Sequence, residues 1–271
     1  MRGAERHMGG MIDRYTEIMF NRPVTHDTWI MGFRSPELAA NTKPGQFVMI
    51  QVRPGIDPLL RRPFSVCGID EESFMVLYRV VGKGTQIMTS IQPGETLPVL
   101  GPLGKGFLAP DEDSLPVLMA GGIGAAPLFF LAQSLRARKV EFLMGFRTAQ
   151  EIIRSDYFKG PGCNVSIATD DGTEGHSGFV TELLPSILEA NKGLSVCLFA
   201  CGPRPMLKEL AETAMTQGIP CQVSLESAMA CGFGVCQGCA VKASPEESRT
   251  YHYVCQNGPV FDVDAIDWSR F

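Results

Sequence analysis

The chain has 271 residues, enough for two or three modules, with 45% apolar and 20% charged residues and a net charge of −5. No long basic run interrupts that balance, which excludes nucleic acid or an anionic membrane as the ordinary partner. Nine cysteines without a signal peptide read as thiols in a reducing, cytoplasmic compartment rather than as a disulfide framework.

In chain order, residues 1–11 hold Arg2, Arg6, His7 and three glycines without an apolar core, and read as a flexible arm. Residues 12–111 read as a small antiparallel barrel. The runs 46–52 and 73–81 are rich in β-branched and aromatic residues and are bounded by turns such as Pro44-Gly45. Only 85–91 looks helical there, after a turn at Gly82, Lys83 and Gly84. Residues 112–218 change rhythm: strands at 115–120, 140–145, 164–169 and 195–200 alternate with helices at 127–138, 179–191 and 205–217. That alternation implies an open parallel sheet of Rossmann type. The uncharged stretch 115–135 has the length of a membrane span, but Pro116, Gly121, Gly122, Gly124 and Pro127 divide it into strand, turn and helix. Residues 219–271 form a third, small segment, too short to hold a core unaided and able to use a metal centre as its missing constraint.

That third segment holds Cys231, Cys236, Cys239 and Cys255, spaced C-x4-C-x2-C-x15-C. The pattern is the plant-type [2Fe–2S] signature. Each iron needs two thiolates, and a tight loop brings three sulfurs to one side. Gly232, Gly234 and Gly238 let that loop wrap a bulky group, and 251–254 reads as a strand that delivers Cys255. A structural zinc site is the competing reading, but zinc sites favour two paired knuckles rather than three close ligands and one apart.

Three pieces upstream suit a flavin dinucleotide. Arg62, Pro63, Phe64 and Ser65 lie where one strand joins the next, so that Arg62 can pair with a diphosphate and Ser65 lie near the ring. Leu77, Tyr78 and Arg79 end a strand, with Tyr78 offering a stacking face, and Gly84-Thr85 open a helix whose free N–H groups suit phosphate. The diphosphate argument favours FAD over FMN. In the α/β segment, Gly122-x-Gly124 permits a tight turn against a pyrophosphate, with Pro127 where the standard fingerprint has its third glycine. Cys201, Gly202 and Pro203 end a later strand at the same sheet edge, where open α/β sheets bind ligands. Cys201 has two readings, a group beside the nicotinamide or a buried thiol. Asp170 and Asp171 also have two: ribose acceptors that favour NAD over NADP, or plain turn residues.

The order Arg62-Pro-x-Ser65, Gly84-Thr85, Gly-Gly-Ile-Gly and Cys-Gly-Pro resembles the ferredoxin–NADP reductase superfamily. The tail Ser224-Leu-Glu-Ser-Ala-Met229-Ala-Cys231-Gly-x-Gly-x-Cys236-x-x-Cys239 resembles, more narrowly, the electron-transfer subunits of class B dihydroorotate dehydrogenase. The likeness runs from about residue 13 to 271. It implies an oxidoreductase subunit that carries FAD on Arg62–Ser65, Leu77–Arg79 and Gly84-Thr85, and a [2Fe–2S] cluster on the four cysteines. It implies a partner as well, an FMN-containing catalytic subunit that oxidises dihydroorotate to orotate in pyrimidine synthesis, assembled as a heterotetramer of two subunits of each kind. Electrons would pass from FMN through the cluster and FAD to NAD. The family pattern Glu-Glu-Arg-Met before the first ligand reads Glu226-Ser-Ala-Met229 here. The alternative is the flavin and iron–sulfur subunit of an NAD(P)H:ferredoxin oxidoreductase or sulfide dehydrogenase. That group resembles this chain closely but uses an aspartate ligand. No Ser/His/Asp constellation is present, and no catalytic acid or base is expected of this subunit.

Overall fold

A computed structural model describes residues 6–8, 11–154 and 162–271. The arm expected at 1–11 lies largely outside these, although β1 (Arg6–Met8) pairs antiparallel with the start of the next strand.

The first module is a closed six-stranded antiparallel barrel. Its elements are β2 (Met11–Pro23), β3 (Thr28–Arg34), α1 (Pro36–Asn41), β4 (Phe47–Ile50), β5 (Arg62–Ile69), β6 (Ser73–Arg79), α2 (Lys83–Met88) and β7 (Thr96–Leu103). The ring runs β2-β3-β6-β5-β4-β7, and β2 closes it: residues 12–17 pair with β7, and residues 17–23 pair with β3 across a register shift between Ile18 and Phe20. Strand alternation fills the interior. Phe74, Val76 and Tyr78 of β6 join Met31 and Phe33 of β3 and Val48 and Ile50 of β4. The Phe33 and Phe74 rings stack with centroids 4.9 Å apart. Leu77, on the other face of β6, belongs instead to the core shared with the second module. Arg62 to Ser65 are not a connecting loop, as the sequence suggested, but the first half of β5. They pair with β4 as Phe47↔Ser65 through Ile50↔Arg62.

The second module is an α/β sheet built from β8 (Leu115–Gly121), α3 (Ala125–Ser134), β9 (Val140–Phe146), β10 (Cys163–Thr169), β11 (His176–Ser177), α4 (Leu184–Ala190), β12 (Val196–Cys201), α5 (Arg204–Gln217) and β13 (Cys221–Ser224). Near-continuous apolar strands such as β8 fit a sheet covered on both faces. One face packs Leu118, Phe142 and Phe199 against Leu128 and Phe129 of α3; the other packs Val117, Met119 and Leu198 against Leu207, Leu210 and Ala214 of α5. Two helices differ from the expected bounds for identifiable reasons. The helix expected at 127–138 stops at Ser134, and Arg138 turns its guanidinium onto the carbonyls of Pro110, Asp111, Glu112 and Ser114 in the linker from the barrel. The helix expected at 179–191 is a 3₁₀ turn, Val180–Leu183, followed by α4, because Pro185 has no N–H with which to continue the ladder.

The parallel sheet does not end at 218. Its order is β11-β10-β9-β8-β12-β13-β16, where β16 (Val260–Asp262) runs antiparallel to β13 in the register Ser224↔Val260. Between them the chain makes an excursion with no regular structure over 225–239. It then forms a two-stranded ribbon, β14 (Ala240–Lys242) and β15 (Tyr251–Tyr253), and one helical turn, α6 (Val254–Asn257). Among the described residues no helix is long and apolar enough to cross a membrane.

Candidate functional site

The barrel and the sheet meet along two adjoining clefts. The first, of about 440 Å³, is lined by Arg62, Pro63, Phe64 and Ser65 of β5, by Leu77, Tyr78 and Arg79 of β6 and by Thr85 of α2. Every segment of the expected flavin motif therefore reaches one cavity. Of the two adjacent arginines, Arg61 is tied to Asp13 at 2.9 Å and only Arg62 faces the cleft. Gly84 lies beneath the Arg62 side chain: a Cβ there would stand 2.7 Å from Arg62 Nε, so glycine lets the guanidinium lie against the start of α2. The Thr85 hydroxyl accepts from the Val81 and Gly82 N–H groups and fixes that turn. Tyr78 departs from expectation. Its ring is 1% exposed inside the barrel and its hydroxyl donates to Asn21 Oδ1 at 2.9 Å, so it is no open stacking face. Burial holds its phenol well above the usual range.

The second cleft, of about 630 Å³, opens at the carboxyl ends of β8, β9, β10 and β12. The strand order reverses between β8 and β12, so this is the switch point at which open sheets bind ligands. Gly122, Gly202 and Pro203 line it. Gly122 has φ +54, a conformation that favours glycine. Gly124 is buried beneath: an added Cβ would meet the Cys201 carbonyl oxygen at 2.3 Å, so this glycine serves close packing of the turn on β12 rather than ligand approach. Cys201 takes the buried reading. It is 2% exposed and does not line the cleft, and burial, reinforced by the Glu226 carboxylate, pushes its thiol up. Asp170 lines the cleft; Asp171 instead binds Thr173 in the turn.

The wall common to both clefts is Arg79, Ile123 and Glu226. Arg79 reaches Asp27 Oδ2 at 3.3 Å in the barrel and Glu151 Oε2 at 3.9 Å in the sheet module. Arg147 holds Glu151 at 2.5 Å from the other side. Burial opposes ionisation of Asp27, but the Thr28 hydroxyl, Arg79 and the Thr25 hydroxyl outweigh it and keep its carboxyl below the ordinary range. Glu226 lies open along the cleft yet is walled by protein on most sides. That desolvation pushes its carboxyl up against the pull of Arg79. Sequence reasoning missed Glu151 and the place of Glu226, because each takes its role from the remote Arg79, and missed Arg147 because its local partner Glu151 gains its meaning only with Arg79.

From Glu226 and Met229, which line the flavin-motif cleft, the chain runs directly into the cysteine loop. Among the described residues no three His, Cys, Asp or Glu side chains are grouped as a single-ion site. The four thiols instead form two pairs. Cys239 and Cys255 are buried with Sγ atoms 3.2 Å apart; Cys231 and Cys236 lie in the outer loop, where the Cys236 N–H donates to Cys231 Sγ at 3.5 Å. The Gly234 N–H donates to Cys255 Sγ at 3.1 Å and the Cys255 N–H to Cys239 Sγ at 3.4 Å. Burial works against a Cys231 thiolate, but N–H groups of Cys236, Phe233 and Val235 outweigh it and bring that thiol down to about 6. Positive φ at Gly232, Gly234 and Gln237 gives the loop its curl. Four cysteine sulfurs gathered in two pairs by N–H···S bonds are a donor set that suits an iron–sulfur group. Cys255 itself lies on α6, one residue beyond the strand expected to deliver it.

The comparisons with known proteins agree with this geometry. The family model described as the iron-sulfur cluster binding domain of dihydroorotate dehydrogenase B matches residues 226–267. A dihydroorotate dehydrogenase B (NAD(+)) electron transfer subunit of Geobacillus kaustophilus is 43% identical over 230 residues, which is 83% of this chain and 86% of that relative. The subunit of the same name from Desulforamulus reducens is 39% identical over 250 residues, 91% of this chain and 95% of that relative. Among solved structures, a chain from work on flavin-based electron bifurcation by the NADH-dependent reduced ferredoxin–NADP oxidoreductase superposes with a TM-score of 0.81. It is 28% identical, and the match covers 94% of this chain and 90% of that one.

Proposed function

The chain belongs to the family of electron transfer subunits of dihydroorotate dehydrogenase B (NAD(+)), and on that premise we propose that it takes electrons from a dihydroorotate-oxidising catalytic subunit and delivers them to NAD. The observation that carries this reading is the shared wall of Arg79, Ile123 and Glu226, which sets the flavin-motif cleft against the nucleotide cleft while the cysteine loop leaves from the same wall. A flavin held in the first cleft would exchange single electrons with an iron–sulfur cluster and electron pairs with a nicotinamide.

The chain's own residues bind and orient. Arg62, against Gly84, would meet the flavin diphosphate, and Pro63, Phe64, Ser65, Leu77 and Arg79 would form the bed of the ring and its chain, with the Tyr78 ring buried behind them. Thr85 fixes the turn beneath. Gly122, Gly202 and Pro203 admit the nicotinamide dinucleotide, while Gly124 and Cys201 support that surface from below. The cleft carries Glu151, Asp170, Glu209 and Glu226 against Arg79 and Arg147, an acidic balance that disfavours a 2′-phosphate and supports NAD over NADP. Cys231, Cys236, Cys239 and Cys255 hold a [2Fe–2S] cluster. The partner carries FMN, and the assembly is a heterotetramer of two subunits of each kind.

Anaerobic purification with iron, sulfide and flavin assays tests the cofactor reading. Addition of an FMN-loaded catalytic subunit then tests the partner: dihydroorotate-dependent NAD reduction is expected, and its failure with an active partner would overturn the assignment. The likeness to the ferredoxin–NADP oxidoreductase chain sustains a second reading, in which the partner is a ferredoxin-reducing subunit. Reduced ferredoxin in place of dihydroorotate separates the two.

A further inference from the structure

β5 and α3 are the two elements that carry the opposed binding surfaces. β5 begins with Arg62–Ser65 in the flavin-motif cleft. α3 begins at the glycine turn, and its Ala126 and Pro127 line that same cleft. From there both elements run away from the cleft, packed through Cys67 of β5 against the buried face of α3. β4 accompanies β5 only as far as Ser65, so the outer edge of β5 beyond that point has no strand beside it.

At the far end one side chain of α3 takes the place of the missing strand. Gln133 Nε2 donates to the Ile69 carbonyl at 2.7 Å, and the Ile69 N–H donates to Gln133 Oε1 at 3.1 Å. A carboxamide is the side-chain group that offers a donor and an acceptor side by side, as a backbone edge requires. The other edge of Ile69 pairs with Phe74 of β6, so both of its backbone groups are held on this side by Gln133 alone among the described residues.

We infer that Gln133 is a positioning residue for electron transfer between nicotinamide and flavin: by tying the far end of α3 to the far end of β5, it fixes the separation of their near ends. The inference rests on the reading given under Proposed function. The tie lies about 10 Å behind Ala126 along the helix and about 13 Å behind Ser65 along the strand. The helix is stiff over such a length, and β5 has its one irregularity between Val66 and Gly68, beside Cys67, where a bend would act as the pivot. A small tilt about the apolar contact at Cys67 therefore changes the width at the cleft, where transfer depends steeply on approach geometry.

The test uses the flavin- and cluster-loaded chain in complex with its catalytic partner. Gln133→Met keeps the side-chain volume and removes both bonds. Gln133→Glu keeps the acceptor for the Ile69 N–H and sets a carboxylate oxygen against the Ile69 carbonyl. Stopped-flow reduction of the flavin by NADH is expected to show a limiting rate lowered about tenfold in Q133M, a dissociation constant for NADH changed by less than about twofold, and a weakened nicotinamide–flavin charge-transfer band. In Q133E the limiting rate should rise as pH is lowered from about 8 to about 5, as protonation restores the donor, with no matching rise in wild type. Dihydroorotate oxidation with a dye that accepts from the partner should be unchanged in both variants. Wild-type rates and an unchanged charge-transfer band in both variants, whatever their melting temperatures, would overturn the positioning role. If the flavin-loaded wild-type chain is itself not reduced by NADH, the functional reading falls, and the role of Gln133 falls with it.

Discussion

The barrel and the cysteine excursion are held together in opposite ways. The barrel closes on itself and buries a continuous core of Ile18, Met31, Phe33, Phe74 and Val76, each essentially inaccessible to water. The excursion from 225 to 239 has no regular secondary structure. It exposes Phe233 and Val235, and the Cys231 sulfur is gathered by backbone N–H groups of its own loop. The first is shaped by apolar area, whereas the second has little area of its own and would gain rigidity from a bound group. The contrast teaches that the barrel carries its own rigidity, while the cysteine loop rests on a packed base in which Cys239 and Cys255 share a core with Phe47, Met49 and Leu103.

Cys255→Ser should break the relay outright. Dihydroorotate-dependent NAD reduction with the partner is expected to fall to background, while flavin content and NADH-dependent dye reduction persist; visible absorption and both assays check this. In the barrel, Phe33→Ala removes a fully buried ring and should cost about 3–5 kcal/mol of global stability, measured by denaturant unfolding, with the cluster's ligands untouched. A result in which Cys255→Ser unfolds the barrel, or Phe33→Ala spares it, would erase the distinction between the two regions. Arg62→Ala sharpens the comparison within the cleft. Loss of a charge-assisted pair with a diphosphate should weaken flavin retention by about tenfold to a hundredfold, read from flavin released on dilution, with little change in melting temperature.

The smallest effect concerns Asp27, whose folded carboxyl titrates below its unfolded value. A depressed carboxyl contributes stability that is present above the unfolded pKa and is lost as pH falls through the folded one. Asp27→Asn should therefore be destabilising near neutrality by less than about 1 kcal/mol, given partial solvent screening. The gap to wild type should close below about pH 4. A pH series of urea midpoints for the two proteins measures it.

What the sequence made legible follows from range. The ligand spacing of Cys231, Cys236 and Cys239 is local, and so is the turn at Gly122; both could be read from neighbours in the chain. Arg62 to Ser65 were recognisable as residues but not as a strand, since pairing with β4 depends on barrel closure. From sequence the Tyr78 ring reads as a stacking face for the ligand, because strand alternation does not say which face is inside until the partner strands are known. The charge chain from Asp27 through Arg79 and Glu151 to Arg147, and the tie from Gln133 to Ile69, join positions more than sixty residues apart at their longest links. No periodicity encodes such contacts.

The pairing of Ser224 with Val260 places the departure and return of the cysteine excursion side by side on neighbouring strands. An insertion whose ends meet behaves as an exchangeable cartridge. Its length and contents can vary without shifting the register of the sheet that carries it, because the closure entropy grows only slowly with loop length. The two strands beneath could thus keep their register around a different loop, or a plain turn.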